Sequence, residues 1–277
     1  MPKPIAERIA VSTWSLHRLL GTTYPHRLAT TEIGAAEETY GPVNETLLDL
    51  PAALANHGYH RMELVSFHLP SRDPVYLGEL RDQLKSSGVV LQTLLIDDGD
   101  ITHPEHGARD TAWIAKWIET ANGLGAENAR IIAGKQKPTP ETLARSVAAL
   151  KSLADGNAGS TLRLVTENWF ALLGAPEHVH HVLDALDGRL GLLGDFGNWK
   201  GAGKYADLAA IFGRAELSHA KGSFIDGDLD EADYGKCIDL AEAAGYAGPY
   251  TLIFDSEIPG EWHGLGIERD FISGRVK

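Results

Sequence analysis

The chain has 277 residues, of which 43% are hydrophobic and 23% charged, a composition typical of globular proteins. Its net charge of −13 disfavours binding to a nucleic-acid backbone, which requires clustered lysine and arginine. The sequence shows no apolar run of signal-peptide length and none of the ~18 residues that a membrane span needs. A single cysteine, Cys237, excludes an internal disulfide. We therefore expect a cytoplasmic protein without nucleic-acid or membrane partners.

Eight short apolar segments have the length and composition of buried strands: Ile9–Thr13, Arg61–Phe67, Val89–Ile96, Ala129–Gly134, Leu162–Glu167, Leu190–Phe196, Glu216–Ala220 and Pro249–Asp255. Segments with apolar residues at three- and four-residue spacing lie between them and predict helices: Glu45–His57, Pro74–Ser87, Arg109–Leu124, Pro140–Leu153, Pro176–Leu186, Tyr205–Phe212 and Ala232–Ala244. Eight strands alternating with helices in about 250 residues predict an α/β fold, a single (β/α)8 TIM-barrel domain over residues 1–277.

A doubly wound open sheet is the alternative fold, but it usually carries fewer strands and a glycine-rich turn after the first. Here the residues after the first strand read Ser12-Thr13-Trp14-Ser15 and contain no GxGxxG motif. A long segment, residues 17–44, then precedes the first predicted helix. Long loops in compact domains often cover binding sites, so this segment is a candidate lid.

In an α/β barrel, the catalytic groups come from the C-terminal ends of the strands and from the loops that follow them. Polar and aromatic residues are dense at these positions: Trp14, His17, His68, Asp97, Asp98, Asp100, Lys135, Glu167, Asn168, Trp169, Asp195, Asn198, His219, Lys221, Asp255 and Trp262. Glu167, Asp195 and His219 end three consecutive strands. Two carboxylates and one imidazole suit a divalent ion such as Mn²⁺, Mg²⁺, Co²⁺ or Zn²⁺.

Each of these residues also has a structural interpretation. Glu167 and Asp195 would then satisfy strand-end or turn backbone groups, and His219 would be a core histidine. The Asp-Asp-Gly-Asp run at 97–100 is equally typical of a solvated turn that caps the next helix. Lys221 could serve only as an ion-pair partner, and the tryptophans only as packing residues. Glu63, inside the second strand, is either a buried strand residue or a support for the site from below.

Seven sequence motifs, in order, resemble those of the sugar phosphate isomerase/epimerase superfamily, whose fold is the xylose isomerase-like TIM barrel. They are IAVSTWS at 9–15, GYHRMEL at 58–64, GA at 125–126 with RIIAG at 130–134, TEN at 166–168, GDFGN at 194–198, SHAK at 218–221 and GYAGP at 245–249. The resemblance covers nearly the whole chain. It is specific for the superfamily but not for one reaction.

The resemblance implies a metal held by a Glu, an Asp, a His and a Glu on strands five to eight. The first three correspond to Glu167, Asp195 and His219. The fourth position falls at or near Ile253, and the nearest carboxylate, Asp255, lies one pleat (~6–7 Å) nearer the mouth. Asn198 stands where many epimerases of the family carry a histidine. Two outcomes are open: Asp255 replaces the missing metal ligand, or this fourth ligand is lost.

The resemblance further implies a divalent-metal-dependent isomerase or epimerase of a sugar or sugar derivative. The ion would polarise a carbonyl and stabilise an enediolate, while a carboxylate moves the α-proton. The expected catalytic residues are Glu167 as the base, Asp255 as the second carboxylate and Lys221 at an oxyanion. The expected substrate-binding residues are Trp14, His17, His68, Asp98, Asn168, Trp169, Asn198 and Trp262. The partner is a small carbohydrate, and a homo-oligomer is a family expectation.

Two other functions stay open. A lyase or dehydratase of a ketosugar or keto acid on the same barrel shares the proton abstraction and adds a leaving group. Alternatively, the barrel has lost its metal and serves as a non-catalytic binding or partner subunit, an interpretation that Ile253 keeps open. A metal-dependent DNA-repair endonuclease, also known in the superfamily, is disfavoured by the net charge of −13.

Overall fold

A computed structural model describes residues 4–30 and 32–276. Eight parallel strands form a closed barrel: Ile9–Ser12, Arg61–Val65, Val90–Ile96, Asn128–Ile131, Arg163–Glu167, Gly191–Asp195, Ala215–Lys221 and Tyr250–Ile253. They are called barrel strands one to eight below. Each strand pairs with its neighbours in chain order, and strand eight pairs with strand one to close the ring. The predicted barrel is therefore confirmed, and each of the predicted strands contributes to it.

A helix follows each barrel strand: Leu50–Asn56, Pro74–Ser87, Gly107–Leu124, Pro140–Gly156, Pro176–Leu186, Lys204–Phe212, Glu231–Ala243 and Glu261–Arg275. The last of these was not predicted from the sequence. It contains Gly264, and glycine lowers the helix propensity of a segment. That glycine is required by packing, because a Cβ at this position would collide with the ring of Phe254. None of the helices in residues 4–30 and 32–276 combines the length and apolarity of a bilayer-spanning segment.

Helix boundaries follow local capping groups. The Asp73 side chain accepts from the Val75 N–H at the start of one helix, and Thr139 forms a capping box with Thr142 at the start of another. Gly88 ends its helix in the left-handed conformation, which glycine adopts without steric cost. The first predicted helix, Glu45–His57, starts later than expected, at Leu50, because residues 47–49 form a turn.

The segment at 17–44 has regular structure where it is described. It contains a short helix, His17–Leu20, and two pairs of two-residue antiparallel strands, Thr22–Thr23 with Glu37–Glu38 and His26–Arg27 with Glu32–Ile33. The Tyr24 N–H donates to the Phe67 carbonyl at 2.7 Å, which fixes the segment to the end of strand two. Apart from residue 31, which is not described, no residue of this segment lines the central cavity.

Two apolar regions support the barrel. The larger lies between the strands and the surrounding helices, and the smaller fills the barrel interior with Val65, Leu95, Val165, Leu193 and Leu217. Side chains two residues apart on a strand share one face. The last three of these residues therefore lie one pleat below positions 167, 195 and 219, where they form an apolar floor.

Candidate active site

Glu167, Asp195 and His219 form one buried cluster at the C-terminal end of the barrel. Strand pairing places Asp195 directly beside His219, and Glu167 beside Leu193 on the next strand. His219 Nδ1 lies 3.3 Å from Asp195 Oδ2 and 3.5 Å from Glu167 Oε1. The three residues are only 4–5% exposed. The side chains that the sequence predicted to meet are thus close together.

Asn198 orients both carboxylates of the cluster. Its backbone N–H and that of Gly197 donate to Asp195 Oδ1 at 2.7 and 2.6 Å. Its side-chain Nδ2 donates to Glu167 Oε1 at 2.7 Å. Asp195 Oδ2 therefore remains directed at His219, and Glu167 Oε2 has no hydrogen-bond partner. Asn198 therefore holds the cluster together from the turn after strand six.

The neighbouring Asn168, expected to bind substrate, has a structural contact instead. Its Nδ2 donates to the Asp195 carbonyl at 3.2 Å, and its Oδ1 accepts from the Asp195 N–H at 2.7 Å. The side chain is fully buried. Asn168 therefore closes the gap between the ends of strands five and six, and its amide is occupied by the backbone.

Glu63 supports the cluster from inside the barrel. Its Oε2 lies 2.8 Å from His219 Nε2, on the opposite side of the imidazole from the other two carboxylates. Burial alone would lower the pKa of His219, but the charges of Glu63 and Glu167 and the hydrogen bonds that Asp195 and Glu167 accept from the ring raise it well above its usual range. In the absence of a metal ion, the site therefore stabilises a positive charge on the imidazole.

Arg130 and Asp97 form a buried ion pair that sequence reasoning missed. Arg130 is 2% exposed, and its Nη2 contacts Asp97 Oδ1. Its Nε lies 3.1 Å from Glu167 Oε2, but the angle leaves neither atom hydrogen-bonded. The guanidinium carbon lies 5.0 Å from the centre of the Trp169 ring. The available signal was an arginine between Ala129 and Ile131, since a charged residue within a buried strand points into a barrel's polar interior.

The strand-eight side of the cavity is built differently. Pairing with strand seven places Thr251 beside His219 and Ile253 beside Lys221, so Asp255 lies still nearer the mouth. Asp255 Oδ2 accepts from Lys221 Nζ at 3.1 Å, and both side chains are about one-third exposed. Burial would raise the pKa of Asp255, but the charge and hydrogen bond of Lys221 lower it. Among the described residues, the cluster able to hold a metal does not include Asp255.

A cavity of about 220 Å³ lies above the cluster. Its lining combines the cluster with residues from several other strand ends: Ser12, Trp14, Val65, Leu95, Asp97, Arg130, Trp169, Asn198, Lys221 and Ile253. The predicted residues Trp14, Trp169, Asn198 and Lys221 are thus brought to the cavity. The tryptophans supply apolar walls, and the charged side chains supply polar contacts.

Two predicted histidines lie away from this cavity. His17 Nδ1 contacts the Trp14 carbonyl, and its ring packs on Tyr40 at 4.1 Å. Burial lowers the pKa of His17 despite its contact with the Trp14 carbonyl. His68 Nδ1 lies 2.9 Å from Thr13 Oγ1, and burial lowers the pKa of His68 to about 3. Both rings are side chains of the interior beside strands one and two.

Asp98 and Trp262 are also placed elsewhere. Asp98 Oδ1 accepts from Lys135 Nζ at 3.2 Å, which links the loops after strands three and four. Asp100, in the same acidic run, accepts from the Lys135 N–H at 3.0 Å and is buried, so this run is not a solvated turn. Trp262 stacks on His57 at 4.0 Å, between the last helix and the first.

The donor set of the cluster fits a divalent cation. One ligand atom from each of Glu167, Asp195 and His219 lies within 4.8 Å of the other two. Glu167 Oε1 and Asp195 Oδ2 lie 3.5 and 3.3 Å from His219 Nδ1, so three donor atoms of these residues face one another. Two carboxylate oxygens and one imidazole nitrogen suit Mn²⁺, Mg²⁺, Co²⁺ or Zn²⁺.

Comparisons with known proteins agree with this architecture. The sequence profile described as xylose isomerase-like TIM barrel matches residues 51–269. A D-allulose 3-epimerase from Methylomonas sp. has a similar structure, with 17% identity, a TM-score of 0.69 and 100% of both chains covered. An L-ribulose 3-epimerase has 18% identity and a TM-score of 0.69, covering 97% of this chain and 94% of that one.

A xylose isomerase-like TIM barrel protein from Mycobacterium smegmatis, solved in complex with magnesium, has 15% identity and a TM-score of 0.68. The match covers 99% of this chain and 100% of that one. Among curated proteins, no sequence matches the chain. At these identities, the structural likenesses show a common fold.

Proposed function

The chain belongs to the xylose isomerase-like TIM barrel family, and on that premise we propose that it is a divalent-metal-dependent isomerase or epimerase of a sugar or sugar derivative. The observation that carries the proposal is the buried cluster of Glu167, Asp195 and His219, with its ligand atoms within 4.8 Å. Epimerases of allulose and ribulose among the similar structures support a carbohydrate substrate, and the magnesium complex supports a metal.

The proposed chemistry is proton transfer next to a carbonyl. A divalent ion held by Glu167, Asp195 and His219 would act as a Lewis acid on the carbonyl and a neighbouring hydroxyl of the sugar. Glu167 is the proposed base, because it lines the cavity and its Oε2 accepts no hydrogen bond, although Arg130 Nε lies 3.1 Å from it. The apolar floor of Val165, Leu193 and Leu217 excludes water from below.

A second proton-transfer group is needed for epimerisation at one carbon, because the proton returns to the opposite face. Lys221 and Asp255 are the proposed candidates, since Lys221 lines the cavity from strand seven and Asp255, which follows strand eight, pairs with it, whereas Glu167 comes from strand five. The Lys221 ammonium can donate a proton or stabilise an oxyanion, and Asp255 balances its charge. Ile253 provides an apolar wall where the family places a carboxylate.

Trp14 and Trp169 are the proposed walls against the substrate ring. Each lines the cavity, and each presents an apolar face with a polar edge. Asn198, which also lines the cavity, supplies an amide within reach of sugar hydroxyls. This combination of aromatic faces and amide or carboxylate groups suits a small polyhydroxy compound.

The proposal is tested first by metal content. Protein purified without chelator should contain one divalent ion per chain, and His219→Ala should lose it. The purified enzyme should then exchange the α-proton of at least one sugar with D₂O across a panel of ketoses and aldoses. Protein without bound metal, whose thermal midpoint does not respond to added Mn²⁺, would instead be a metal-free binding subunit.

A lyase acting on a ketosugar or keto acid is the second candidate. Ile253 favours it, because β-elimination needs one base and one acid at the leaving group, without a second carboxylate at that position. Glu167 and Lys221 would fill these two roles. A dehydrated product, detected by mass spectrometry as the loss of water from the substrate, separates this reaction from isomerisation or epimerisation.

A further inference from the structure

An imidazole that binds a metal uses one ring nitrogen and leaves the other for a hydrogen bond, and that second bond decides which nitrogen is available. In His219, Nε2 lies 2.8 Å from Glu63 Oε2, while Nδ1 faces Asp195 at 3.3 Å and Glu167 at 3.5 Å. We propose that Glu63 is a positioning residue that makes Nδ1 the metal-binding nitrogen of His219. The inference rests on the metal site proposed above.

Glu63 is itself held in one orientation. It is fully buried on strand two, and its Oε1 accepts from Gln92 Nε2 at 3.2 Å. Gln92 Nε2 also donates to Thr251 Oγ1 at 3.0 Å, and Gln92 Oε1 accepts from Arg61 Nε at 3.0 Å. Rotation of the Glu63 side chain would break its buried hydrogen bonds with Gln92 and His219.

The chemistry of a carboxylate fixes the direction of the bond to His219. An ionised carboxylate accepts hydrogen bonds and donates none, so the proton of this contact lies on Nε2. In the neutral ring, the lone pair then lies on Nδ1 and is directed at Asp195 and Glu167. A carboxylate partner also increases the electron density of the ligand nitrogen, which strengthens metal binding.

A purely structural ion pair between Glu63 and His219 would hold the strands together without affecting the metal. The two roles are separated by metal affinity, measured by calorimetric titration of the metal-free protein with Zn²⁺. We expect Glu63→Gln and Glu63→Leu to weaken Zn²⁺ binding by about 10–100-fold. Glu216→Gln is the matched control: Glu216 lies on the same strand as His219 but pairs with Arg163, so its loss should leave the affinity unchanged.

Folding of each variant is followed separately, by the thermal midpoint of the metal-free form. A folded Glu63 variant that binds Zn²⁺ as tightly as the original protein overturns the inference. Wild-type protein that binds no divalent ion rejects the proposed function itself, so the two failures are distinguishable.

A second measurement does not depend on any Glu63 variant. In Zn²⁺-loaded protein labelled with ¹⁵N-histidine, the nitrogen shifts identify the metal-bound and protonated nitrogens, with His219→Gln used to assign the signals. The inference requires zinc on Nδ1 and the proton on Nε2. Zinc on Nε2 contradicts it, whatever the stability of the variants.

Discussion

The two sides of the cavity differ in how their charged groups are held. Glu167, Asp195 and His219 are buried, and neighbouring amides and Glu63 orient them toward one another. On the strand-eight side, Lys221 and Asp255 are one-third exposed and satisfy each other. A pair of this kind contributes about 0–1 kcal/mol to stability. Under the proposed function, the first side would hold the cation, whereas the second is a partly solvated ion pair near the cavity mouth.

Replacing the base on the buried side should have the largest effect. Glu167→Gln keeps an acceptor for Asn198 Nδ2 but removes the proton-accepting carboxylate. We expect kcat to fall by about 10²–10⁴-fold, the usual contribution of a positioned general base. Steady-state kinetics on the sugar identified by the D₂O panel measures this effect, with Glu216→Gln as the control. Retention of full kcat would remove Glu167 from the proton transfer.

A carboxylate introduced at position 253 tests whether this part of strand eight faces the proposed metal site. Ile253 is 4% exposed, so Ile253→Glu buries a carboxylate whose neighbouring cation, Lys221, already pairs with Asp255 in the metal-free protein. We expect a loss of about 3–5 kcal/mol in the free energy of unfolding, part of which saturating Mn²⁺ recovers. Unfolding in urea with and without Mn²⁺ measures both effects, and Ile253→Leu is the control. If Mn²⁺ stabilises the two variants equally, position 253 does not face the metal.

A buried carboxyl group on the last helix, Glu268, makes the stability of the protein depend on pH. Glu268 is fully buried, its Oε1 accepts from the Gly222 N–H at 3.0 Å, and burial raises its pKa to about 8. Between the unfolded value of 4.5 and about 8, the folded chain keeps a proton that the unfolded chain releases. The stability that Glu268 contributes by staying protonated is complete below pH 4.5. It is lost as the pH rises through about 8.

Glu268→Gln should remove that dependence, because glutamine mimics the protonated side chain and still accepts from Gly222. At pH 8.5, the variant should be more stable than the original protein by about 3–5 kcal/mol, because ionising the buried carboxyl group costs about 1.4 kcal/mol for each unit between its two pKa values. Urea unfolding from pH 5 to 8.5 checks this. Parallel stability curves for the two proteins would show that Glu268 does not titrate in this range.

The smallest effect is expected for the rim ion pair. In a double-mutant cycle of Lys221→Met and Asp255→Asn, we predict a coupling energy in stability below about 1 kcal/mol, because both groups are partly solvated. Chemical denaturation of the four proteins gives this value. A coupling of several kcal/mol would mean that the pair is part of the buried site, and the contrast between the two sides would disappear.

Sequence patterns predicted the barrel and its central cluster because both follow from local rules. Apolar runs locate strands, and the C-terminal ends of parallel strands meet at one face, which brings Glu167, Asp195 and His219 together. Side chains beyond the strand ends were harder to place. His68 and Trp262 pack away from the cavity because the turns after strands two and eight direct them to other elements.

The ion pair of Arg130 and Asp97 could not be predicted from spacing. It joins residues 33 positions apart, and it depends on which strand face points into the barrel. The sequence shows a charged residue in a buried strand but not its partner. The same holds for Glu63 and His219, separated by 156 positions. The first contact joins neighbouring strands and the second crosses the barrel interior, and both depend on strand register and tilt, which no local pattern encodes.

The central claim is that Glu167, Asp195 and His219 bind one divalent ion without Asp255. Anomalous diffraction at the zinc edge, from crystals grown with Zn²⁺, tests it most directly. The account predicts one strong peak about 2.0–2.2 Å from a carboxylate oxygen of Glu167, one of Asp195 and Nδ1 of His219. A peak between Lys221 and Asp255, or no peak at the cluster at saturating zinc, would contradict it.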